Sequence, residues 1–341
     1  MRLLLTLSIL SLLFSSCFKE DDKVVLATPG GATVAAVALG SDYENQVFFS
    51  LRNGVILTND HAAWDLAFES SPNGYHVWIN GGKGVLAGTN NSPDFTGTTT
   101  TEGIAWHWDE ASWNPDSTAI GNWKQDISRT PEALSSTMRT DEAAQSNRVY
   151  LIDRGSNYAT EDRYWKVVFQ SVDGSAYRIK YGRLDNSLPD SITLNKDPQQ
   201  AYTYFTFDNG GHNIVMEPNV NAWDFVFTRY RHIFYYTTPP TPYFVNGALL
   251  NPDGMTAALD SITPYDQIDL GFAEQMALHD ARNAIGYNWK YYDFSAQTYV
   301  VKPHFSYVVR DREGYYWKLR FLDFYNDQGQ KGYPKFEYQR L

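Results

Sequence analysis

One stretch of the chain has the spacing of a nucleotide-binding motif. Residues 82–87 read Gly-Lys-Gly-Val-Leu-Ala, and Glu102 follows about twenty residues on, where a ribose-binding acid belongs. The glycines of that motif must open a helix, because the amino terminus of the helix holds the pyrophosphate. Residues 88–101 consist mainly of Gly, Asn, Ser, Pro and Thr, which disfavour a helix. We therefore interpret residues 82–87 as a Gly-rich β turn.

Motifs of other catalytic classes are absent from the sequence. It contains no nucleophile elbow, no His-Glu-x-x-His metal site, no phosphate loop and no close cluster of Cys and His. Acidic pairs occur at 109–110 and 141–142, but a glycosidase pair is defined by a separation in the fold that a sequence does not give. The sequence therefore favours a protein that is not an enzyme.

The chain contains one cysteine, Cys17, so it has no internal disulfide. Arg2 precedes an apolar run over residues 3–14, and two serines stand directly before the cysteine. This pattern predicts a signal peptide over residues 1–16 and a lipid on Cys17, which becomes the first residue of the mature protein. The alternative is an ordinary signal peptide beside an incidental cysteine.

A charged segment follows the predicted lipid site. Residues 19–22 read Lys-Glu-Asp-Asp, which resembles the export tag on surface lipoproteins of one Gram-negative phylum and implies an outward-facing protein. Such a charge run is also typical of a flexible, solvated tether, here residues 17–26. The formal net charge of the whole chain is −11, which argues against nucleic acid as a partner because a polyanion is repelled.

The elements that position these residues occur twice along the chain, at an offset of about 155 residues. An Ala-Trp-Asp sequence starts at Ala63 and again at Ala222, and Tyr-Trp-Lys starts at Tyr164 and again at Tyr316. A Tyr-x-Arg-Leu sequence closes each copy. Because this period is too long for a solenoid repeat, we expect two homologous domains, residues 27–190 and 191–341.

The repeated segments alternate between large apolar and other residues, which predicts β-strands. Trp165, Val167 and Phe169 share one face, and Lys166 lies on the other. Asn-Gly, Asp-Gly and Glu-Gly pairs separate the apolar runs and predict hairpin turns. One segment, 272–284, has a helical pattern and predicts a single short helix at most. The fold class is therefore all-β, with two antiparallel β domains in tandem.

A set of these features resembles the HmuY-like haem-binding lipoproteins. The set comprises the Phe-rich strand ending in Asn53-Gly54, residues 64–68 (Trp-Asp-Leu-Ala-Phe), the turn at residues 80–84 and Ser-Asn-Arg-Val-Tyr at residues 146–150. The resemblance covers residues 27–184 from end to end and the second copy more weakly. It implies an all-β surface lipoprotein, although we interpret the Trp-Asp pentad itself as scaffold.

The resemblance also implies two axial donors to haem iron, about thirty residues apart, between the Gly-rich turn and the closing hairpin. His107 and Met138 match this placement. Trp106 and Trp108 flank the histidine and offer stacking faces for a porphyrin, and Arg139 offers a partner for a propionate. The alternative is a partly exposed histidine between two packed tryptophans and an ordinary core methionine. In the second copy, Met276, His279 and His304 are not at family spacing.

Two functions follow as hypotheses. In the first, the chain is an outer-membrane lipoprotein, facing outward, that takes haem from its surroundings or from host haemoproteins and passes it to a TonB-dependent receptor. In the second, it is a surface lipoprotein without haem that binds glycan or protein through exposed aromatic residues, because indole rings stack on sugars and porphyrins alike.

Overall fold

The protein is built almost entirely from antiparallel strands. The computed structural model describes residues 30–74, 76–90, 92–112 and 148–341. In these ranges the strands are β1 (Thr33–Ala36), β2 (Asn45–Ser50), β3 (Gly54–Asp60), β4 (Leu66–Glu69), β5 (Val77–Ile79), β6 (Leu86–Thr89), β7 (Val149–Asp153), β8 (Tyr164–Val172), β9 (Ala176–Arg183), β10 (Asp190–Asn195), β11 (Tyr202–Thr206), β12 (His212–Ile214), β13 (Phe225–Phe234), β14 (Thr241–Leu250), β15 (Thr256–Asp260), β16 (Lys290–Asp293), β17 (Thr298–Val301), β18 (Ser306–Arg310), β19 (Tyr316–Tyr325) and β20 (Lys331–Arg340). The predicted all-β class is confirmed.

Helices play a small part in the described residues. They are the one-turn helices α1 (Thr160–Arg163) and α2 (Leu270–Ala273) and the 3₁₀ turns Asp208–Gly210, Val220–Ala222 and Tyr265–Gln267. Of the helix predicted within residues 272–284, only the end of α2 forms in the structure. The Asp269 side chain caps α2 by accepting a hydrogen bond from the Phe272 amide. Within the described ranges, each helix is too short and too polar to span a membrane.

Two hydrophobic cores organise the strands. The first lies between the sheet β12-β11-β4-β5 and the sheet β10-β9-β8-β7-β6, and it contains Phe68, Trp165 and Phe205. The second lies between the sheet β14-β13-β2-β3 and the sheet β1-β20-β19-β18-β15, and it contains Phe49 and Phe225. We name β4–β12 the first unit, and β1–β3 together with β13–β20 the second unit.

The predicted turns join neighbouring strands into hairpins. Asn53-Gly54 connects β2 to β3, Asp173-Gly174 connects β8 to β9, and Glu313-Gly314 connects β18 to β19. Gly54 and Gly314 have φ angles of 77° and 89°, a backbone region that glycine adopts at little cost.

The strand pairing does not follow the domain division that the sequence predicts at residue 190. Strand β2, from the first sequence copy, pairs with β13 of the second, and β11, from the second copy, pairs with β4 of the first. Strand β1 pairs with β20 at the opposite end of the chain. The two copies therefore exchange their amino-terminal strands. The division of the chain into two homologous copies at residue 190 stays a prediction.

The repeated Trp-Asp motif holds each exchanged strand in place. Asp65 donates its amide to the Phe205 carbonyl at 2.8 Å, and its Oδ2 accepts from the Phe207 amide at 2.8 Å. Asp224 donates to the Phe49 carbonyl at 2.8 Å, and its Oδ2 accepts from the Leu51 amide at 2.6 Å. The motif is thus structural in both copies, and each aspartate binds the strand that comes from the other copy.

The repeated Lys of Tyr-Trp-Lys also has one role in both copies. The Lys166 ammonium donates to the carbonyls of Phe95 and Thr98 at 2.8 and 2.9 Å. The Lys318 ammonium donates to the carbonyls of Tyr265 and Ile268 at 3.1 and 3.0 Å. Each lysine fastens a loop against the outer face of its sheet, so the two units share their construction in detail.

Candidate functional site

His107 lies on a short segment that extends the first unit's sheet beyond its edge strand, β6. Its amide donates to the Ala87 carbonyl at 2.9 Å, and the Ala87 amide donates to the His107 carbonyl at 3.0 Å. The segment lies so close to β6 that a Cβ on Gly88 would be only 2.7 Å from the Ala105 oxygen, and glycine permits this approach because it has no Cβ. The backbone of His107 is therefore fixed to the sheet.

The His107 ring is half-buried, and its nitrogens hydrogen-bond to none of the residues that the structure describes. A neutral imidazole nitrogen without a protein partner is a donor for a metal ion or for haem iron. The site therefore has one nitrogen donor on a rigid backbone.

The two flanking tryptophans are also half-buried. The Trp106 ring lies 6.0 Å from the Tyr164 ring, measured between centroids, with an angle of 30° between the planes. The indole N–H of Trp108 is buried and has no hydrogen-bond partner among the described ranges. Aromatic rings therefore stand on both sides of His107 in the sequence, and their role in stacking on haem stays a prediction.

The segment after His107 is anchored at two further points. The Asp109 side chain is buried and accepts a hydrogen bond from the Ile79 amide at 2.9 Å. Ala111 packs in the cluster that contains Phe48 and Trp223, on the outer face of the second unit's sheet. The segment therefore runs from the edge of the first unit to the surface of the second.

Three residues of the predicted site lie outside the described residues. These are Met138, Arg139 and the predicted lipid site, Cys17. Their roles as axial ligand, propionate partner and membrane anchor remain predictions from the sequence.

The second unit carries a histidine at the position that corresponds to His107. The backbone of His279 bonds to Ala257 in both directions at 2.9 Å, and Ala257 has the same place on edge strand β15 as Ala87 has on β6. The sequence spacing did not identify this match because the intervening loops differ in length. The common signal in the sequence is a Gly-x-x-Ala turn, Gly84 to Ala87 and Gly254 to Ala257.

The remaining donors of the second copy lie elsewhere. Met276 is partly buried against the cluster around Ile268, and His304 is exposed before β18. Within the residues that the structure describes, no three His, Cys, Asp or Glu side chains gather as a metal-binding set.

Comparisons with known proteins agree with the sequence resemblance. Among solved structures, apo PinO from Porphyromonas gingivitis is 13% identical over 40% of this chain and 79% of its own, with a TM-score of 0.22. An apo HmuY analog from Tannerella forsythia is 15% identical over 45% of this chain and 84% of its own, with a TM-score of 0.23. A Bacteroides vulgatus protein described as HmuY-like and heme-binding is 14% identical over 44% and 78%, with a TM-score of 0.19.

TM-scores at this level do not support a shared overall arrangement, and no curated protein matches. The family assignment rests on the sequence instead. The family model described as HmuY protein matches residues 42–187 and 255–338, which is more than half of the 341 residues and takes in part of each copy. The chain therefore belongs to the HmuY family.

Proposed function

We propose that this protein binds haem through His107. The observation that carries the proposal is the fixed, half-buried imidazole of His107, whose ring nitrogens bond to none of the described residues. Family membership supports haem as the ligand, because one structurally compared protein of HmuY type is described as heme-binding. The tryptophans at 106 and 108 would contact the porphyrin faces or edges.

The second axial ligand in this proposal is Met138, with Arg139 paired to a propionate. Both assignments come from the sequence alone. A histidine and a thioether are neutral donors that hold haem iron in either oxidation state. The protein itself supplies the donors, the aromatic surroundings and a rigid backbone, while the redox chemistry belongs to the haem.

The proposal extends to the location of the protein. A lipid on Cys17 would anchor it to the outer membrane, facing outward, where it would take haem from its surroundings or from host haemoproteins. Delivery to a TonB-dependent receptor completes the proposed function. The proposed location draws on the sequence pattern of residues 1–22, and the proposed delivery of haem draws on the family.

A Soret absorption titration of the full mature chain tests haem binding. We expect the parent to bind one haem and His107→Ala to lose at least about tenfold in affinity, because one axial bond is lost. His304→Ala is the matched control, since His304 is exposed on the second unit, and it should bind as the parent does. A parent that binds no haem, or a His107→Ala variant that binds like the parent, would refute the proposal.

A second candidate function rests on exposed aromatic residues of the second unit. Tyr235, Tyr236 and Tyr243 are 63%, 81% and 60% exposed at the end of the β13–β14 hairpin. Exposed tyrosine rings with hydroxyls are suited to stacking on sugars. A polysaccharide-affinity gel measures this function, and we expect the triple substitution of these tyrosines by alanine to abolish retardation. Equal retardation of parent and variant would exclude this surface as a glycan site.

A further inference from the structure

A cleft separates the outer faces of the two units' sheets. Phe48 and Val226 of the second unit line one side, and Trp64 and Tyr204 of the first unit line the other. The strand exchange brings these faces together, so the cleft depends on both copies.

Two arginines of β13, Arg229 and Arg231, border this cleft. They are two positions apart on one strand, so their side chains leave the same face of the sheet. Their guanidinium carbons lie 4.1 and 5.5 Å from the ring centroid of Phe244, which stands opposite Arg231 on β14. Two positive charges therefore share one aromatic ring at the edge of the cleft.

Neither guanidinium forms an ion pair with a carboxylate of the described residues. Arg231 is 8% exposed, and its Nη1 donates a hydrogen bond to the Val85 carbonyl at 3.2 Å. Burial lowers the pKa of Arg231 to about 10, although Asp109 and Asp153 act in the opposite direction. Burial also lowers the pKa of Arg229. Most buried charges in proteins are paired, so this pair is an exception that calls for an anion.

A nearby histidine, His61, adds no positive charge to Arg229 and Arg231. The His61 ring is buried, and its Nδ1 lies 3.1 Å from the Glu44 carbonyl. Burial is the main cause that lowers the pKa of His61, and the charge of Arg229 lowers it further. His61 is therefore neutral at pH 7 and adds no third positive charge to the two arginines.

We propose that Arg229 and Arg231 form a carboxylate-binding site at this cleft. The planar guanidinium fork matches the two oxygens of a carboxylate, and partial burial strengthens such a bond. The carboxylate has two possible sources: a free small aromatic acid, or a propionate of a haem at His107, the second of which rests on the proposed function. The ring of Phe244, which both guanidiniums contact, offers an aromatic surface that favours an acid with an apolar body over inorganic phosphate.

The first experiment uses benzoate as the free acid and the thermal unfolding midpoint as the readout. Benzyl alcohol is the neutral control ligand, and inorganic phosphate is the control anion. The double variant Arg229→Gln with Arg231→Gln removes both charges, and Arg178→Gln, at an exposed position of β9, is the matched control. Arg229→Gln alone is added because the Arg229 side chain hydrogen-bonds to none of the residues that the structure describes, so its loss should leave the fold intact.

The second experiment uses haem and haem dimethyl ester, which lacks the propionate charges, in Soret titrations of the same variants. If the source is a free acid, benzoate raises the unfolding midpoint of the parent and of Arg178→Gln but not of the double variant. If the source is a propionate, the parent prefers haem over its dimethyl ester by roughly tenfold to a hundredfold, and the double variant loses this preference.

The proposal is overturned if carboxylates affect the parent and the double variant equally in both experiments, or if benzoate and the propionates have no effect on the parent. A parent that binds no haem refutes the proposed function only, because the benzoate experiment still decides on the carboxylate site. Stabilisation by phosphate as strong as that by benzoate would overturn the preference for an organic acid.

Discussion

Asp65 and Asp224 have the same place in the repeated motif but different charges around them, and we expect their removal to have unequal effects on stability. Asp65 is fully buried, and its carboxylate lies 2.7 Å from the Lys83 ammonium and 3.1 Å from the Arg154 guanidinium. Those two side chains are themselves only 4% and 2% exposed. Asp224 instead accepts the Leu51 amide, and burial raises its pKa.

The magnitudes follow from what each substitution leaves behind. Asp65→Ala leaves the buried Lys83 ammonium without its carboxylate and leaves Arg154 with Asp208 alone, which costs about 3–5 kcal/mol of unfolding free energy. Asp224→Ala leaves one strand amide without an acceptor, which costs about 1–3 kcal/mol. Part of the second cost is offset, because a desolvated carboxylate is removed together with the hydrogen bond. Asp65→Asn keeps an acceptor for the Phe207 amide, so it should cost less unfolding free energy than Asp65→Ala.

Urea unfolding followed by tryptophan fluorescence measures these differences. Trp165 lies in the first core, so its emission reports on the unit that Asp65 holds. Asp327→Ala, at an exposed turn position, is the control and should change stability by less than about 0.5 kcal/mol. If Asp65→Ala costs no more than Asp224→Ala, the buried ion network does not stabilise the exchanged strand and the reasoning fails.

Four further predictions follow from the structure and the sequence. Burial raises the pKa of Glu217 from 4.5 to about 7, so the folded protein keeps a proton that the unfolded chain releases. Stability should therefore fall by up to about 3 kcal/mol as pH rises from 4.5 to 7, and Glu217→Gln should flatten this profile in pH-dependent urea unfolding. Met138 as a soft ligand should favour ferrous haem, and Met138→Ala should remove that preference in Soret titrations of reduced and oxidised haem. Cys17→Ser should release the protein from membranes. If the variant still partitions into membranes and still incorporates palmitate, Cys17 is not the lipidated residue. A fragment of residues 27–190 lacks β11, so we expect it to remain unfolded by circular dichroism until a fragment of residues 191–341 is added.

Much of the fold is predictable from the sequence because its signals are local. Alternation in Trp165, Val167 and Phe169 predicted one buried face, and all three lie in the first core. The rejected nucleotide motif at residues 82–87 forms a turn into β6 instead of a helix, and its glycine at 82 lies against β13, where a Cβ would be 2.2 Å from the Arg229 carbonyl. The alternation and the turn are set by neighbouring residues in the sequence, whereas the contact of Gly82 with Arg229 is not.

The arrangement of the strands was not predictable because the repeat makes the alternatives equivalent. Asp65 accepts the amide of Phe207, yet nothing in the sequence distinguishes that partner from the corresponding residue of its own copy, Leu51. The cleft with Arg229 and the match of His279 to His107 follow from this pairing and from loop lengths. These relations depend on contacts between residues far apart in sequence, which local patterns do not encode.

The pairing of β1 with β20 sets the order in which the protein can be completed. Thr33 stands opposite Tyr338, so β1 has no partner until β20, about 300 residues further along the sequence, has been made. Closing a loop of about 300 residues costs about 3 kcal/mol more chain entropy than closing a ten-residue hairpin. Hairpins such as β8–β9 can form early, whereas β1 joins its sheet at the end of folding. The segment around Thr33 can therefore be bound into its sheet only after the strand that contains Tyr338 has folded.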